Sequence, residues 1–373
     1  MAVRRRFLHP LWLIASLPLY MGWRLLPALA GGPAGVVAGV VVLIAACAIV
    51  PMSVRRTDKF AWVGLIAMGF FSTLFVATVL RDVLLLAAHL LLSTAQMDAL
   101  TVISARYAVA LTLAATFIGL LISRRPRLVE VEIPIARLPK ALHGFSIAQI
   151  SDVHVGPTIR RGFVERLVDR VNRLDADLIA VTGDLVDGSV QELSRHTAPL
   201  AKLAARHGAY FVTGNHEYYS GEADWTREIR RLGLTVLKNQ HVVLKHDGAL
   251  LVLAGVTDYS AHRFDAAQKS DPAAALHGAP PDAGAKILLA HQPSSADAAE
   301  HAGFDVQISG HTHGGQFWPW NHFVRYFQPF TAGLHRLKRL WVYVSSGTGY
   351  WGPPNRFGVP AEITRIRLVP AAQ

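Results

Sequence analysis

The stretch Ile308-Ser309-Gly310-His311-Thr312-His313-Gly314-Gly315-Gln316 is the one around which the rest of this sequence is arranged. An apolar run, Phe304 to Ile308, leads into it and predicts a short buried strand. Glycines flank the two histidines, so the backbone can turn sharply and approach a ligand closely. At such a strand end, His311 and His313 could diverge toward two neighbouring metal ions instead of sharing one face. A lone His-x-His pair is equally compatible with ordinary hydrogen-bonded histidines, so the preceding sequence has to decide.

Five predicted strands each end in Asp, His or Asn beside a small residue or a turn. These strands are Phe145 to Ile150, Leu178 to Thr182, Ala209 to Thr213, Lys286 to Ala290 and Phe304 to Ile308. The polar side chains that follow them are Asp152, His154, Asp184, Asn215, His291, His311 and His313. In open α/β sheets, ligands bind beyond the carboxyl ends of the strands, so five such ends predict one composite site.

Each of these side chains also has a simpler interpretation by itself. Asp152 could cap a helix, Asp184 could form a turn, Asn215 could adopt a left-handed turn and His291 could be a core histidine. Their joint occurrence in this order favours a ligand set. Carboxylate, amide oxygen and imidazole suit hard or borderline divalent ions such as Mn, Fe, Zn or Mg.

From Leu128 onward, short β-branched runs alternate with amphipathic segments, which predicts an α/β domain over residues 128–373. Helices are predicted at Arg160 to Leu174 and around Glu192 to Ala205. The further predicted strands are Val129 to Ile135, Leu234 to Leu237, Val242 to Leu244, Leu250 to Val256, Leu340 to Val344 and Ile363 to Leu368.

The first 127 residues have a different composition and predict a helical transmembrane domain. Their net charge is +9, against +2 for the remainder, and they are strongly apolar. Four spans are predicted, at 11–29, 35–50, 60–80 and 107–122. Basic clusters lie before the first span, between the second and third, and after the fourth. They are Arg4-Arg5-Arg6, Arg55-Arg56 with Lys59, and Arg124-Arg125 with Arg127.

The positive-inside rule places all three basic clusters, and with them the C-terminal domain, on the cytoplasmic side of the inner (plasma) membrane. The short apolar run Val83 to Leu92 is interpreted as an extension of the third helix or an interfacial helix, since a span there would reverse the orientation. The competing interpretation is export, because Arg4-Arg5-Arg6-Phe7-Leu8 has the form of a twin-arginine signal and Ala28-Leu29-Ala30 that of a cleavage site.

Composition also restricts the partners. The basic excess belongs to the apolar part, and no basic face with interleaved aromatics follows it, so nucleic-acid binding is not expected. Cys47 is the only cysteine, which leaves no intramolecular disulfide and no thiolate metal cage. Membrane lipids are the expected partners of the apolar part.

With these motifs in place, residues 129–369 resemble the calcineurin-like metallophosphoesterase superfamily. The resemblance rests on Asp-x-His at Asp152, Gly183-Asp184, Gly214-Asn215-His216-Glu217, His291 and Gly310-His311-Thr312-His313. The forms of the Asp184 and His-x-His motifs, and the ending Gly347 to Pro354, look like the membrane-associated branch. Some of its members act on lipid-linked or nucleotide-linked phosphoesters.

This resemblance implies a four-layer α/β/β/α sandwich with two metal ions. Asp152, His154 and His313 would hold the first ion, Asn215, His291 and His311 the second, and Asp184 would bridge them. The ions would lower the pKa of a bound water to give hydroxide and clamp the phosphoryl oxygens. His216 would stabilise the transition state or protonate the leaving oxygen. Asp187 and Glu217 are predicted to orient imidazoles around the site, with exposed turn carboxylates as the alternative.

The sequence therefore predicts a membrane-tethered, metal-dependent phosphoesterase acting on a phosphodiester or pyrophosphate. The alternatives are a phosphomonoesterase, a non-catalytic metal-binding module, and a transporter; few ionisable residues inside the spans, Arg24 mainly, argue against the last. We also expect residues 316–339, with Trp318 and Trp320, to form a lip that admits an amphiphilic substrate from the membrane surface. Packing of these aromatics on the domain core is the alternative.

Overall fold

The computed structural model describes residues 8–53 and 59–371, and the chain divides into two compact units. The first unit consists of the residues up to Leu121 together with Gly352–Phe357. The second unit consists of Ile122–Trp351 and the residues from Gly358 onward. The sequence-based boundary after residue 127 lies a few residues further along the chain. The return of a hexapeptide to the first unit was not anticipated.

In the described part of the N-terminal region there are four helices: α1 Leu8–Leu29, α2 Pro33–Ser53, α3 Lys59–Ala88 and α4 Thr94–Ser123. Three of them are long and apolar enough to cross a membrane, over Pro33–Met52, Phe60–Ala88 and Thr94–Ser123. The predicted spans 35–50, 60–80 and 107–122 fall inside these three. The predicted span 11–29 lies in α1, which is not among the three, so four spans remain a prediction. The basic clusters Arg4-Arg5-Arg6 and Arg55-Arg56 lie outside the described residues.

Helix α3 continues past its predicted end at residue 80. It runs through Val83 to Ala88 and is followed by a turn, so most of the run 83–92 extends the third helix. The extension carries Arg81 and Asp82 into the helix. Asp82 accepts hydrogen bonds from Arg24 (Nε to Oδ2, 2.7 Å) and from the Tyr20 hydroxyl (2.6 Å).

Arg81 completes this polar cluster. It donates to Asp82 Oδ1 at 3.1 Å, to Ser104 Oγ at 3.0 Å and to the carbonyl oxygen of Thr101 at 2.9 Å. Charged groups in an apolar helix bundle are stable only when partnered. The cluster therefore joins α1, α3 and α4 through satisfied contacts, as expected of a structural anchor.

The hexapeptide Gly352–Phe357 packs against two of the helices. The backbone N–H of Arg356 donates to the carbonyl oxygen of Gly119 in α4 at 3.1 Å. A Cβ at Gly119 would lie 1.8 Å from Asn355 Oδ1, and a Cβ at Gly69 in α3 would lie 3.1 Å from Pro353. The absence of side chains at these two glycines lets the hexapeptide approach the helices closely.

Two six-stranded mixed sheets organise the second unit. The first has the order β1-β12-β2-β3-β4-β5 and the second β10-β11-β9-β8-β7-β6. The strands are β1 Arg127–Ile135, β2 Ser146–Ile150, β3 Leu178–Val181, β4 Ala209–Phe211, β5 Thr235–Val236, β6 Gln240–His246, β7 Ala249–Gly255, β8 Ala285–Leu289, β9 Val306–Ser309, β10 Gly333–Leu337, β11 Leu340–Val344 and β12 Glu362–Pro370. Strands β2 to β5 are mutually parallel, as are β7, β8, β9 and β11.

Helices cover the outer face of each sheet. They are α5 Arg161–Asn172, α6 Val190–Thr197, α8 Glu222–Arg231, α9 Pro272–Leu276 and α10 Ala296–Ala302, while the short helix α7 Asn215–Ser220 follows β4 directly. One buried core joins the first sheet to α5, α6 and α8 through residues such as Phe163 and Trp225. A second lies between the two sheets, and a third joins the second sheet to α9 and α10. Three cores between four layers confirm the predicted α/β/β/α sandwich.

Strand β10 was not predicted, and it lies inside the segment 316–339 proposed as a lip. It pairs antiparallel with β11 at the edge of the second sheet. The prolines at 319 and 329 precede it and do not interrupt it. An irregular segment, residues 316–332, precedes this edge strand, and the lip over 316–339 stays a prediction.

Candidate metal centre

The carboxyl ends of five strands bring the predicted ligands together. Strands β2, β3 and β4 lie side by side in the first sheet, and β8 and β9 in the second, with all neighbours parallel. Parallel neighbours end at the same edge, so the loops after these strands meet there. Six of the seven predicted ligands lie in two clusters there: Asp152, His154 and His313 in one, and Asp184, His291 and His311 in the other. The seventh, Asn215, is the first residue of α7, which follows β4.

The backbone of this site is strained in a consistent way. Five of the seven residues have left-handed φ angles between 50° and 71°, a region that side chains other than glycine seldom adopt. They are Asp152, His154, Asp184, His311 and His313. Such strain persists where the surrounding structure imposes it, and it clusters at functional sites.

Glycines make the close approach of the loops possible. A Cβ at Gly310 would lie 2.0 Å from Ser151 Oγ and 2.2 Å from Asp152 Oδ2. A Cβ at Gly214 would lie 2.2 Å from Asp184 Oδ1. Because both positions lack side chains, the loops contact each other directly, and the backbone N–H of His311 donates to Asp152 Oδ1 at 3.0 Å.

The first ligand group contains Asp152, His154 and His313. Their ligand atoms all lie within 4.8 Å of one another, and all three residues are buried. His154 Nε2 and His313 Nε2 are 3.0 Å apart, and His313 Nε2 is 3.5 Å from Asp152 Oδ1. Two imidazole nitrogens at this distance need a shared proton or cation between them, so this group fits a metal ion.

The second group contains Asp184, His291 and His311. His291 Nε2 lies 3.1 Å from Asp184 Oδ2 and 3.2 Å from His311 Nδ1. The sequence analysis assigned Asn215 to the same metal ion as His291 and His311. Its Oδ1 is buried and has no hydrogen-bond partner among the described residues. A buried amide oxygen without a donor is costly, and a cation would satisfy it.

Asp184 faces both groups through the same oxygen. Oδ2 lies 3.1 Å from His291 Nε2 and 4.0 Å from His154 Nε2, while Oδ1 accepts from the backbone N–H of His216 at 2.8 Å. Its position between the groups fits a bridging carboxylate. The residues present therefore suit divalent metal ions, and the number and identity of the ions belong to the proposal below.

Burial and neighbouring charges set opposite pKa shifts within the site. Burial by itself raises the pKa of Asp184, but the adjacent His291 outweighs it and lowers that pKa well below its usual value. Burial, with His291 beside it, lowers the pKa of His311 to about 3. The carboxylate is thus ionised and the His311 imidazole neutral, which are the forms that bind metal ions.

His216 lies beside the ligands and contacts Asp187. Asp187 Oδ1 is 2.6 Å from His216 Nδ1 and 3.0 Å from His154 Nδ1, so one carboxylate contacts two imidazoles. Burial lowers the pKa of His216, but Asp187 and Asp184 outweigh it and raise that pKa to about 9. The same imidazoles outweigh burial at Asp187 and hold its pKa at about 2.

Glu217 has a different position from the predicted one. It is 1% exposed and accepts hydrogen bonds from the backbone N–H groups of Asp184 (3.0 Å), Leu185 (2.8 Å) and Gly214 (2.7 Å). It therefore holds two ligand loops together and orients no imidazole directly. Burial is the main reason that its pKa is raised, to about 8.

Aromatic side chains that the sequence analysis did not assign to the site surround His216. The ring of Tyr219 is 5.2 Å from the His216 ring and that of Trp351 is 5.9 Å away. Gln316 fixes Trp351 through two hydrogen bonds, of 2.9 Å to its carbonyl oxygen and 2.8 Å from its backbone N–H. Gln316 is the last residue of the stretch 308–316 that contains His311 and His313. The same stretch therefore also positions the Trp351 ring beside His216.

Trp318 and Trp320 lie in the irregular segment that follows this run. Trp318 is half-buried and Trp320 is 40% exposed. The segment also carries Phe323, Tyr326 and Phe327, which are 50%, 69% and 81% exposed. Phe317 is buried, and Phe330 packs on the third core, so the alternative of core packing holds for these two aromatics.

Comparison with known proteins agrees with this fold. Residues 145–315 match the family model described as calcineurin-like phosphoesterase. The chain is 40% identical over 279 residues to a bovine transmembrane protein with metallophosphoesterase domain, covering 70% of this chain and 61% of the relative. It is 37% identical over 252 residues to a Helicobacter pylori metallophosphoesterase, covering 67% and 65%.

A third relative is matched over nearly its whole length. It is a metallophosphoesterase of Aquifex aeolicus, 31% identical over 245 residues, covering 65% of this chain and 91% of the relative. The chain belongs to the calcineurin-like metallophosphoesterase family. It spans a little under two thirds of the bovine and Helicobacter relatives, and the membrane association in the bovine name agrees with the apolar helices found here.

Proposed function

We propose that this protein is a membrane-anchored phosphoesterase that uses two divalent ions to hydrolyse a phosphodiester or pyrophosphate bond. The observation that supports it best is the position of Asp184, whose Oδ2 faces one ligand group at 3.1 Å and the other at 4.0 Å. Two dications at the spacing typical of such sites, about 3.5–4 Å, need a shared anion. Mn, Fe, Zn and Mg all remain compatible with this ligand set.

Bound divalent ions would lower the pKa of a water molecule to supply the nucleophile and would neutralise charge on the phosphoryl oxygens. The residues of the chain have their own tasks. Asp187 holds His216 by Nδ1, so the other ring nitrogen, Nε2, faces the ligand cluster, 3.9 Å from Asp184 Oδ2. A pKa of about 9 keeps a proton on that nitrogen at neutral pH. His216 can therefore give this proton to the leaving oxygen.

The substrate we propose is a diester or pyrophosphate that is lipid-linked or nucleotide-linked. Its support is the aromatic surface beside the site, formed by Tyr219, Trp351 and the exposed aromatics of 316–332. Aromatic rings of this kind stack on bases and also lie well at membrane interfaces. A phosphomonoester is the alternative substrate, and the hydrolysis assay described below distinguishes the two.

For location, we propose the plasma membrane, with the catalytic domain on its cytoplasmic side and lipids as the contacts of the helices. The support is the set of three candidate spans together with the basic clusters that flank the apolar helices. Nucleic acid is not expected as a partner, since the positive charge is concentrated in the apolar part.

The test uses the full chain in detergent, freed of metal and reloaded with each divalent ion in turn. Asp184→Ala should lower bound metal and abolish hydrolysis of an aryl phosphodiester. His216→Ala should keep metal near the parent level and lose about 10²–10⁴-fold in rate. The matched control is His301→Ala, because His301 is an exposed histidine on α10 outside the site.

Three outcomes would contradict the proposal. Full activity in Asp184→Ala protein that contains no metal would exclude a metal-dependent site. Faster cleavage of the aryl monoester than of the diester would favour the phosphomonoesterase. Metal binding with no hydrolysis of diesters, pyrophosphates or monoesters would favour a non-catalytic metal-binding module.

A further inference from the structure

A basic pocket lies in the second unit and is lined by none of the residues of the metal centre. It is a pocket of about 590 Å³ beside helix α5 and the residues that follow helix α4. All the charged residues that line it are arginines: Arg124, Arg125, Arg166 and Arg170. Phe163 and Leu167, both buried, form part of its apolar floor.

The arginines come from two parts of the chain that the fold brings together. Arg166 and Arg170 are four residues apart on α5, so they lie on one face of that helix. Arg170 donates to the carbonyl oxygen of Pro126, which joins the helix to the segment that carries Arg124 and Arg125. Arg124 donates to the carbonyl oxygen of Thr158 at 3.2 Å and to the Tyr350 hydroxyl at 3.3 Å.

The charge of three of these arginines is the feature that points to a ligand. Among the residues that the structure describes, no acidic side chain forms an ion pair with Arg125, Arg166 or Arg170. Glu165, an acid on the same helix, pairs instead with Arg161 at 2.8 Å. Like charges gathered around a cavity repel one another, and an anion inside it would relieve that repulsion. Guanidinium groups match phosphate oxygens in bidentate geometry.

The covalent structure fixes where this pocket lies relative to a membrane. Helix α4, a candidate span, ends at Ser123, and Arg124 and Arg125 are the next two residues. Consecutive Cα atoms are about 3.8 Å apart, so these two arginines cannot lie far from the end of the span. That end is where phospholipid headgroups are found. An apolar floor beneath a ring of arginines suits a ligand with a phosphate and an attached apolar part.

We propose that this pocket binds the phosphate headgroup of an anionic phospholipid from the leaflet on which the catalytic domain lies. The site is separate from the metal centre, and the proposal does not depend on the phosphoesterase function. Basic residues near anionic headgroups gain about 1 kcal/mol each. Removing two arginines should therefore weaken binding about 30-fold, which corresponds to about 2 kcal/mol.

The experiment measures lipid binding to the full chain in detergent by native mass spectrometry. Phosphatidylglycerol is titrated against phosphatidylcholine for the parent, for Arg166→Gln with Arg170→Gln, and for Arg227→Gln with Arg231→Gln. The last pair is the matched control, since it also lies four residues apart on one helix, α8, and removes the same charge. The parent and the control should retain phosphatidylglycerol equally, and the pocket variant should lose about 30-fold in affinity.

Phosphatidylcholine should bind all three proteins alike, and equal melting temperatures should show that the variants are folded. Arg166→Lys with Arg170→Lys keeps the charge but removes the bidentate geometry, so it should give an intermediate loss. Equal binding of phosphatidylglycerol to the pocket variant and the control would overturn the proposal. Inorganic phosphate that displaces phosphatidylglycerol from the parent at equal concentration would show a soluble-phosphate site and overturn the lipid assignment.

Discussion

Asp187 is the residue that links the metal centre to the proposed acid. Its Oδ1 lies 2.6 Å from His216 Nδ1 and 3.0 Å from His154 Nδ1, with about a fifth of its side chain exposed. Carboxylates that contact the second nitrogen of an imidazole fix its tautomer and raise its basicity. One side chain thus has two effects, orientation of a ligand and retention of a proton on His216.

The first prediction follows from the charge of Asp187. A general acid works only when protonated, so kcat/KM should fall as the pH rises through the pKa of His216. Asp187→Asn removes an anion that stabilises the imidazolium. It should therefore lower that pKa and move the fall about 1 to 3 pH units lower. The measurement is the pH profile of diester hydrolysis at saturating metal.

The control for this prediction is Asp224→Asn, an exposed aspartate on α8 that pairs with Arg227. It should leave the profile unchanged. An unshifted profile in Asp187→Asn protein that retains its metal would show that His216 is not the acid.

The sequence predicted these site residues to different degrees. The seven ligand-type side chains could be found because each follows a strand with a recognisable apolar pattern. The sequence predicted that Asp187 contacts imidazoles. It could not predict which of the seventeen histidines these are, because no local pattern distinguishes them. Glu217 could not be predicted correctly, because its partners are backbone N–H groups of loops up to 33 residues away.

At the scale of elements, the segment 316–332 combines a fixed start with an exposed middle. Gln316 anchors its start through two hydrogen bonds to Trp351, and β10 ends the segment in the edge of a sheet. Between them, Trp320, Tyr326 and Phe327 are 40%, 69% and 81% exposed. Exposed aromatics on an anchored segment favour contact with a ligand or a membrane over contact with the protein core.

The second prediction concerns this segment as the proposed lip. Trp320→Ser with Phe327→Ser should slow hydrolysis of a lipid-like diester in micelles about tenfold, because two interfacial aromatics are lost. Cleavage of a small soluble aryl diester should be unchanged. Trp318 is left intact in this variant because it is half-buried and its removal would disturb packing.

The control changes one exposed apolar residue outside this segment, Val243 on β6, to serine. Val243→Ser should affect neither substrate. If the lip variant loses both activities equally and melts at a lower temperature than the parent, these aromatics are core packing and the lip hypothesis is wrong.

At the scale of the whole molecule, the helices determine on which side of the membrane the catalytic unit lies. Three candidate spans are present, and α1 would add a fourth. With four spans both ends of the helical unit lie on one side, and the basic residues after α4 favour the cytoplasm. With three spans the two ends would lie on opposite sides, and export of the catalytic unit is the competing interpretation.

The third prediction tests this orientation with reporters. A reporter active only in the cytoplasm should be active when fused after Gln373. A truncated fusion after Leu92, in the turn between α3 and α4, should be active only with a reporter that works outside the cytoplasm. The two sites serve as controls for each other, because one span separates them. The reverse pattern at both sites would place the catalytic unit outside.

The sequence by itself determined the class of fold, the apolar helices and the side chains of the metal centre. Local sequence patterns predict these features: the period of two in strands, long runs without charge, and polar residues at strand ends. The tertiary structure decided contacts between distant residues. It gave Glu217 its three backbone donors, placed Gly352–Phe357 with the helices, and brought Arg124 and Arg125 beside Arg166 and Arg170. Such contacts depend on how packed elements bring remote parts of the chain together, which no short stretch of sequence specifies.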